Sequence, residues 1–564
     1  MIKQVFNCKL KGKNIPVEAT FINDKIELAF PFFRPLLEEV KAMKGAKWRD
    51  ELKIWEVDLC KRNLFAFSIL QNTGLIKTYD EPLKLIDPDC KPPLWTHQLD
   101  IYRFILTRKR CLVGAEPRTG KTRPALQAFL DSEHGTLWFV TTKSAEFGFD
   151  REVFKWWGAV RDEYGRLVVK NKIIITMSYD KFTSTIQTMP LGSKLPGFII
   201  FDECHKLKTP TSQRTECAMK LSEMLEIQNE GKEYIVGLSG TPSPKDPTDW
   251  WSQCEVIRSG YIREGTLQKF KVRYGSYTPW DPGTPAWDRF LGWNKEEVAK
   301  LSNRLAGLVR IYFQKDCMDL PPWRMETVEL TAPKDLLRVA KLITETSGSA
   351  LEARRRLRQL SDGFEYERAY DPDTNTMKRV GTTFVGSPKI DQLKGDLDEY
   401  EEVGRLVIYS GFQGSVDIIT KTCLEAGWFV LQIDGRGRLL FNPANGQSVS
   451  DSESLQLALG QMDRSTDTGQ IVKLAVVAET DAGGTGLEFS ASPCIIYYSN
   501  SDSGEGRMQS KFRAMSNNMD KVRGLTIKDY ILLPSDRLIR DKLEEKIELQ
   551  AISMGDLREC YANI

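Results

Sequence analysis

Gly120-Lys121-Thr122 follows the apolar run 111–113 and precedes a helical stretch over 124–130. A glycine turn, a lysine and a hydroxyl between strand and helix are the parts of a phosphate-binding loop. Backbone N–H groups and a helix N-terminus face the anion, Lys121 would neutralise the β- and γ-phosphates, and Thr122 would hold Mg2+ through its hydroxyl. The full pattern GxxxxGK[ST] is imperfect, because Ala115 stands at the first glycine and Gly114 comes one place early. The apolar run 198–201 ends in Asp202-Glu203, 81 residues beyond Lys121 (202 − 121). Paired carboxylates there could divide the labour of phosphoryl transfer, with Asp202 in the Mg2+ shell and Glu203 orienting and deprotonating the attacking water. Alone, an Asp-Glu after a strand is a turn; downstream of a GKT at this separation, the catalytic reading outweighs it.

Such residues need a rigid platform. Short apolar runs at 111–113, 137–140, 173–177, 198–201 and 234–238 alternate with helical segments, the signature of a parallel sheet wrapped by helices. A second series at 406–409, 429–433, 474–478 and 494–498 implies a second lobe. Residues 34–59 read as a small α+β unit: an amphipathic helix carrying Leu36, Leu37, Val40 and Met43, a stop at Gly45, then short strands around Trp48 and Trp55, both taken as core. Pro82, Pro88, Pro92 and Pro93 mark a linker, and 436–470, rich in Gly, Ser, Asn and Asp, reads as a long surface loop. Between the lobes lies an aromatic and basic stretch with a helix over 351–359.

The 564 residues, 41% hydrophobic, exceed one core and call for several domains. No apolar run approaches the roughly 20 residues that cross a bilayer. Lys9, Lys11 and Lys13 come before any apolar leader develops, so a cytoplasmic protein without membrane association is expected. The 11 cysteines are scattered and form no CxxC pair, which removes a zinc or redox site of that type. A net charge of +2 means that any nucleic-acid contact must come from a local surface.

Asp202-Glu203-Cys204-His205, followed after the next strand by Gly237-Leu238-Ser239-Gly240-Thr241-Pro242, resembles motifs II and III of superfamily-two helicases. GLSGTP, the segment Ala482-Gly483-Gly484-Thr485-Gly486-Leu487, and Gln509 followed by Arg513 resemble the Swi/Snf-type translocases of that superfamily. The resemblance spans 94–549 and implies two RecA-like lobes closing on one ATP. It makes Gln98 the reader of the adenine edge, groups Arg118, Thr119, Gly120, Lys121, Thr122 and Gln509 around the nucleotide, and gives Arg513 the transition-state charge. Thr141, Thr142 and Lys143 stand at the position of motif Ia, which with Ser239, Gly240, Thr241, Gly484 and Thr485 would contact DNA, hydroxyls and backbone suiting phosphates. Residues 175–180 resemble the "ITSYE" segment, 410–412 motif IV, and 357–359 with Ser387-Pro388-Lys389 the "LRQ…SPK" approach to the second lobe. One departure stands out: the family's second motif VI arginine is Ser516 here, leaving Arg513 alone or requiring Arg507 or Arg523 to substitute. Gly45 to Arg49 with Lys53-Ile54-Trp55-Glu56-Val57 resembles the HARP-type module of annealing helicases, with Lys41, Lys44, Lys47 and Arg49 as its phosphate contacts.

The expected organisation is an N-terminal HARP-like α+β domain (1–87), RecA-like lobe 1 (88–258), a helical insertion (259–386), RecA-like lobe 2 (387–540) and a C-terminal helical brace (541–564). The expected activity is a DNA-dependent ATPase using ATP and Mg2+, monomeric as a motor, acting on double-stranded or branched DNA, from a bacterial or viral rather than nuclear source. The alternatives are a superfamily-two RNA helicase and an annealing or scaffold protein with a weakened ATPase.

Overall fold

The computed structural model describes the chain except residues 1, 11–12, 23, 44, 60–62, 64–86, 191, 230, 244–245, 263, 278–289, 306, 372–375, 481–486, 502, 517–518 and 554–564. It divides into two compact units, residues 1–317 with 547–564, and 318–546. The first unit begins with a five-stranded antiparallel sheet crossed by the helix Arg34–Ala42. Its small core joins Leu36 and Val40 of that helix, and Met43 at its C-cap, to Val17, Ala19, Ile26, Leu28 and Val57 of the strands. Trp48 does not belong to that core: it is 42% exposed, its ring centroid 5.5 Å from that of Trp55. Its strand, Lys47–Arg49, is at the sheet edge and exposed along its length.

The principal sheet of the first unit has eight strands. In spatial order, Val309–Tyr312, Arg110–Ala115, Tyr234–Ser239, Phe198–Asp202, Thr136–Thr141 and Lys172–Ser178 run parallel, and Leu167–Val169 and Val160–Arg161 extend the edge antiparallel. Strand side chains alternate between faces, so each buried run supplies two cores at once. Leu112, Trp138, Val140, Ile199, Phe201 and Ile235 pack on one side. Cys111, Val113, Leu137, Phe139, Phe198, Ile200, Val236 and Leu238 pack on the other.

The second unit repeats this plan. Trp323–Glu329, Leu525–Ile531, Cys494–Tyr497, Arg405–Ser410, Leu474–Glu479 and Phe429–Asp434 are parallel, followed by the antiparallel strands Gly437–Phe441 and Ser448–Val449. Both are α/β sheets with helices on each face, the RecA-like arrangement. The stretch 259–386 is not one inserted body. Its first part joins the first core through Phe270, Tyr274, Val298, Leu301 and Leu305, and it supplies the outermost parallel strand of each sheet. A helical pair, Lys334–Thr346 and Ala350–Asp362, and a two-stranded ribbon, Phe364–Asp371 with Thr376–Phe384, complete it. Residues 436–470 are not a loop either, since Ser452–Met462 is a helix burying Ala458 and Met462. Leu455, Ala458, Leu459 and Met462 fall at helical spacing there, which outweighs the Gly and Ser around them. No helix among the described residues is long and apolar enough to cross a membrane.

Candidate active site of the first unit

All six residues of Arg110–Ala115 are buried. The chain leaves the strand through Glu116 to Gly120 and enters the helix Thr122–Asp131 at its N-cap, Lys121. Arg118 has φ +71° and Gly120 φ +72°. Two left-handed residues in this short loop fold it into a concavity whose N–H groups can converge on an anion, the geometry of a phosphate nest. Glycine adopts that conformation freely, whereas at Arg118 it costs about 1–2 kcal/mol, so the surroundings must hold it. Thr119, fully buried, donates from Oγ1 to the Glu116 carbonyl at 2.8 Å. His97 Nε2 lies 2.8 Å from the Thr119 carbonyl, and Gln98 Nε2 donates to the Gly120 carbonyl at 3.3 Å. Gly114 is not a displaced loop glycine: a Cβ there would lie 2.6 Å from Ile311 Cδ1, so it is the close contact that admits the strand Val309–Tyr312.

Gln98, expected at the base edge, is also engaged within the protein. Its Oε1 accepts from the Trp95 backbone at the start of its own helix, and its amide nitrogen lies on the phosphate loop. One end of the amide caps the helix and the other seats the loop.

The strand Phe198–Asp202 carries the carboxylates to the same sheet edge. Lys121 Nζ is 4.0 Å from Glu203 Oε1. Glu203 has φ +50°, a strained turn that directs its side chain away from the strand. Asp202 Oδ2 accepts from Thr141 Oγ1 at 2.9 Å, and the Asp202 carbonyl accepts from Tyr179 Oη at 2.8 Å. Enclosure at the strand end, then the charge of Glu203, pushes the Asp202 carboxyl up to about 6, against the opposing pull of Lys121 and the Thr141 hydrogen bond. Two carboxylates facing one lysine leave excess negative charge, which a divalent cation would relieve. Among the described residues no group of three His, Cys, Asp or Glu could hold a metal. Mg2+ is a cation that keeps few protein ligands and takes the rest from phosphate and water.

His205 is fully buried, its Nδ1 3.3 Å from Glu203 Oε2 and 3.0 Å from Ser239 Oγ. Ser239 Oγ accepts from the Thr241 backbone at 3.1 Å. Ser239 and Thr241 are both fully buried, and a Cβ on Gly240 would lie 2.9 Å from Pro117 in the phosphate loop. Ser239, Gly240 and Thr241, expected to contact DNA, pack inward here, Gly240 against Pro117 and the Ser239 and Thr241 side chains enclosed. Parallel strands deliver both loops to one edge, and Gly240 allows their close approach. Thr141 is likewise corrected: buried against Asp202, it is not a phosphate contact. Thr142 is the N-cap of the helix Lys143–Trp157, and Lys143 is exposed. Sequence reasoning missed Tyr179, His205 and Gln253, which donates to the Pro242 carbonyl at 2.5 Å and accepts from Cys204 Sγ at 3.2 Å. Nothing in the sequence signalled Gln253, 48 residues beyond His205 (253 − 205) on the helix Asp249–Ile257, but Tyr179 lay inside the "ITSYE"-like segment.

In the second unit Arg513 is buried on the helix Gly504–Ala514, which also carries half-buried Gln509. Arg507 cannot replace a missing arginine: it donates to Asp529 at 2.6 Å and Asn500 at 3.0 Å, 3.3 Å above the Tyr497 ring. Arg523 is exposed and Ser516 buried. Arg358 is buried over Phe412 at 4.5 Å, so this end of the basic helix is core. Gly484 and Thr485, with Ala482, Gly483 and Gly486, and Lys44 in the N-terminal domain, lie outside the described residues.

The first unit thus sets a loop shaped for an anion beside a strand-end carboxylate pair, and the second unit repeats its α/β plan. No family model matches the chain. Over 222 residues, 38% of this chain, it is 26% identical to the Drosophila melanogaster "SWI/SNF-related matrix-associated actin-dependent regulator of chromatin subfamily A-like protein 1", and the match spans 28% of that relative's length. The Swi/Snf-type resemblance of the motifs is thus met by a relative that is SWI/SNF-related by name. Its insect source gives no support to a bacterial or viral origin. Among solved structures the chain is similar to the "Sulfolobus solfataricus SWI2/SNF2 ATPase core in complex with dsDNA", with 16% identity, a TM-score of 0.36, and coverage of 86% of this chain and 98% of that one.

Proposed function

We propose that the chain is an ATP-dependent translocase or helicase on double-stranded DNA, hydrolysing ATP to ADP and phosphate at Lys121, Asp202 and Glu203. The observation that carries this reading is the approach of Lys121 Nζ to Glu203 Oε1 beside a loop shaped for phosphate. In this role the loop from Arg118 to Thr122 binds the phosphates, Asp202 and Thr122 hold Mg2+, and Glu203 removes a proton from the attacking water. Mg2+, when bound, supplies neutralisation of the phosphate charge. Gln98 acts by holding the loop, Gln509 and Arg513 serve the nucleotide from the second lobe, and Arg513 takes the developing charge. Thr142 and Lys143, with Gly484 and Thr485, grip the duplex backbone. The domains proposed are a HARP-like 1–87, lobes built around 88–258 and 387–540 that each take an edge strand from 259–386, and a brace from 541, with branch migration, strand annealing or remodelling of branched DNA by a monomeric motor as the output. Glu203→Gln provides the test: it should bind a fluorescent ATP analogue as tightly as the unmodified chain and release no phosphate. Near-normal phosphate release would remove the assigned base.

A further inference from the structure

Two buried hydroxyls converge on Asp202 from neighbouring elements. Thr141 ends the strand Thr136–Thr141, which pairs directly with Phe198–Asp202, and its Oγ1 donates to Asp202 Oδ2 at 2.9 Å. Tyr179 opens the helix that follows the next strand outward, Lys172–Ser178, and its Oη donates to the Asp202 carbonyl at 2.8 Å. Both side chains are almost wholly enclosed. The Tyr179 ring is set parallel to that of Phe201, 6.5 Å away, so the hydroxyl has little freedom to leave.

The two bonds fix different things. Thr141 occupies one carboxylate oxygen and thereby sets the direction in which Oδ1 is offered to a cation. Tyr179 pins the carbonyl of the peptide that leads into Glu203, whose φ of +50° is a conformation that a glutamate keeps only when its surroundings hold it. Release of that peptide would let the turn relax and swing Glu203 away from Lys121.

We propose that Thr141 and Tyr179 are positioning residues for the phosphoryl transfer, Thr141 for the metal-binding carboxylate and Tyr179 for the base. The inference rests on the ATPase reading given above. Partners that orient a metal ligand typically change metal affinity or activity by about 10- to 100-fold, and misplacement of a reacting group by about 1 Å costs about 100-fold in rate.

The test uses the full chain with Thr141→Val, Thr141→Ser, Tyr179→Phe and, as a control, Glu203→Gln. Binding of a fluorescent ATP analogue without metal, Mn2+ binding with ADP by electron paramagnetic resonance, and kcat with KM for ATP are measured on each. Thr141→Val should bind Mn2+ about tenfold more weakly, with Thr141→Ser restored. Tyr179→Phe should retain Mn2+ and KM while kcat falls at least about tenfold. Unchanged Mn2+ affinity in Thr141→Val together with unchanged kcat in Tyr179→Phe overturns the inference, as does equal loss in Thr141→Ser, which would make the position one of packing. If Glu203→Gln is inactive while those two variants behave as the unmodified chain, only this inference fails. If Glu203→Gln turns over normally, the ATPase assignment falls first.

Discussion

Replacing Asp202 by Asn should stabilise the first unit while ending its chemistry. The Asp202 carboxyl is pushed up to about 6 from 3.8 by enclosure and then by Glu203, so its charged form is disfavoured in the folded state. A shift of about two units corresponds to about 3 kcal/mol, and relaxation of the site reduces the recoverable part to about 1–3 kcal/mol. Asn has the same shape, can still accept from Thr141 through its amide oxygen, and carries no charge. The sign follows from linkage: below pH 3.8 the aspartate is neutral folded or unfolded, and Asn brings no advantage. Between about 4 and 6 only the unfolded chain ionises, the unmodified protein loses stability, and above 6 the deficit is constant. Thermal unfolding of the first unit at pH 7.5 should therefore rise by about 2–6 °C in Asp202→Asn, with the difference shrinking towards pH 4. Mg2+ with nucleotide should raise the melting temperature of the unmodified chain more than that of the variant. A variant that melts at or below the parent at pH 7.5, or a gain that persists unchanged at pH 4, would refute the account of this site.

Gly120→Ala should cost about 1–2 kcal/mol from its φ of +72° alone, and the new Cβ would lie 2.4 Å from Gln98 Nε2. Loss of fluorescent-nucleotide binding with the helix Thr122–Asp131 intact by circular dichroism is the expected outcome. Lys389→Met should destabilise the second unit by about 3–5 kcal/mol, read by urea unfolding. Lys389 lies 3.0 Å from Asp362 and 3.3 Å from Asp536 and is fully buried, so its removal leaves two enclosed carboxylates with no cation. Burial opposes the charge on Lys389, but Asp536 and Asp362 outweigh it and its amine is held above the usual lysine value of 10.5. That stabilisation is fully present below 10.5 and should be lost only as the pH rises beyond it.

The parallel strands were legible because buried strands advertise themselves as apolar runs: 198–201 and 474–478 lie inside Phe198–Asp202 and Leu474–Glu479. Edge strands carry no such signal. Trp323–Glu329 (WRMETVE) is mostly exposed and joins its sheet through backbone pairing with Leu525–Ile531, with half-buried Val328 packed on the core. At the site, residue types and spacing located Lys121, Asp202 and Glu203, but not which way short polar side chains turn. Thr141 and Ser239 have the same types whether they face solvent or turn inward to Asp202 and His205, and the direction is decided by strand register and by the closeness Gly240 allows to Pro117. Lys389 and Arg358 look like surface cations in the chain and prove to be buried, paired with Asp362 and Asp536 or stacked on Phe412.

The rate of phosphate release with ATP and Mg2+, measured across a titration of duplex DNA beside single-stranded DNA and RNA, tests the central claim most directly. The account predicts a rate that rises to saturation with duplex DNA and less with the other two. A rate that stays flat as duplex DNA saturates the protein, or one stimulated by RNA instead, would contradict it.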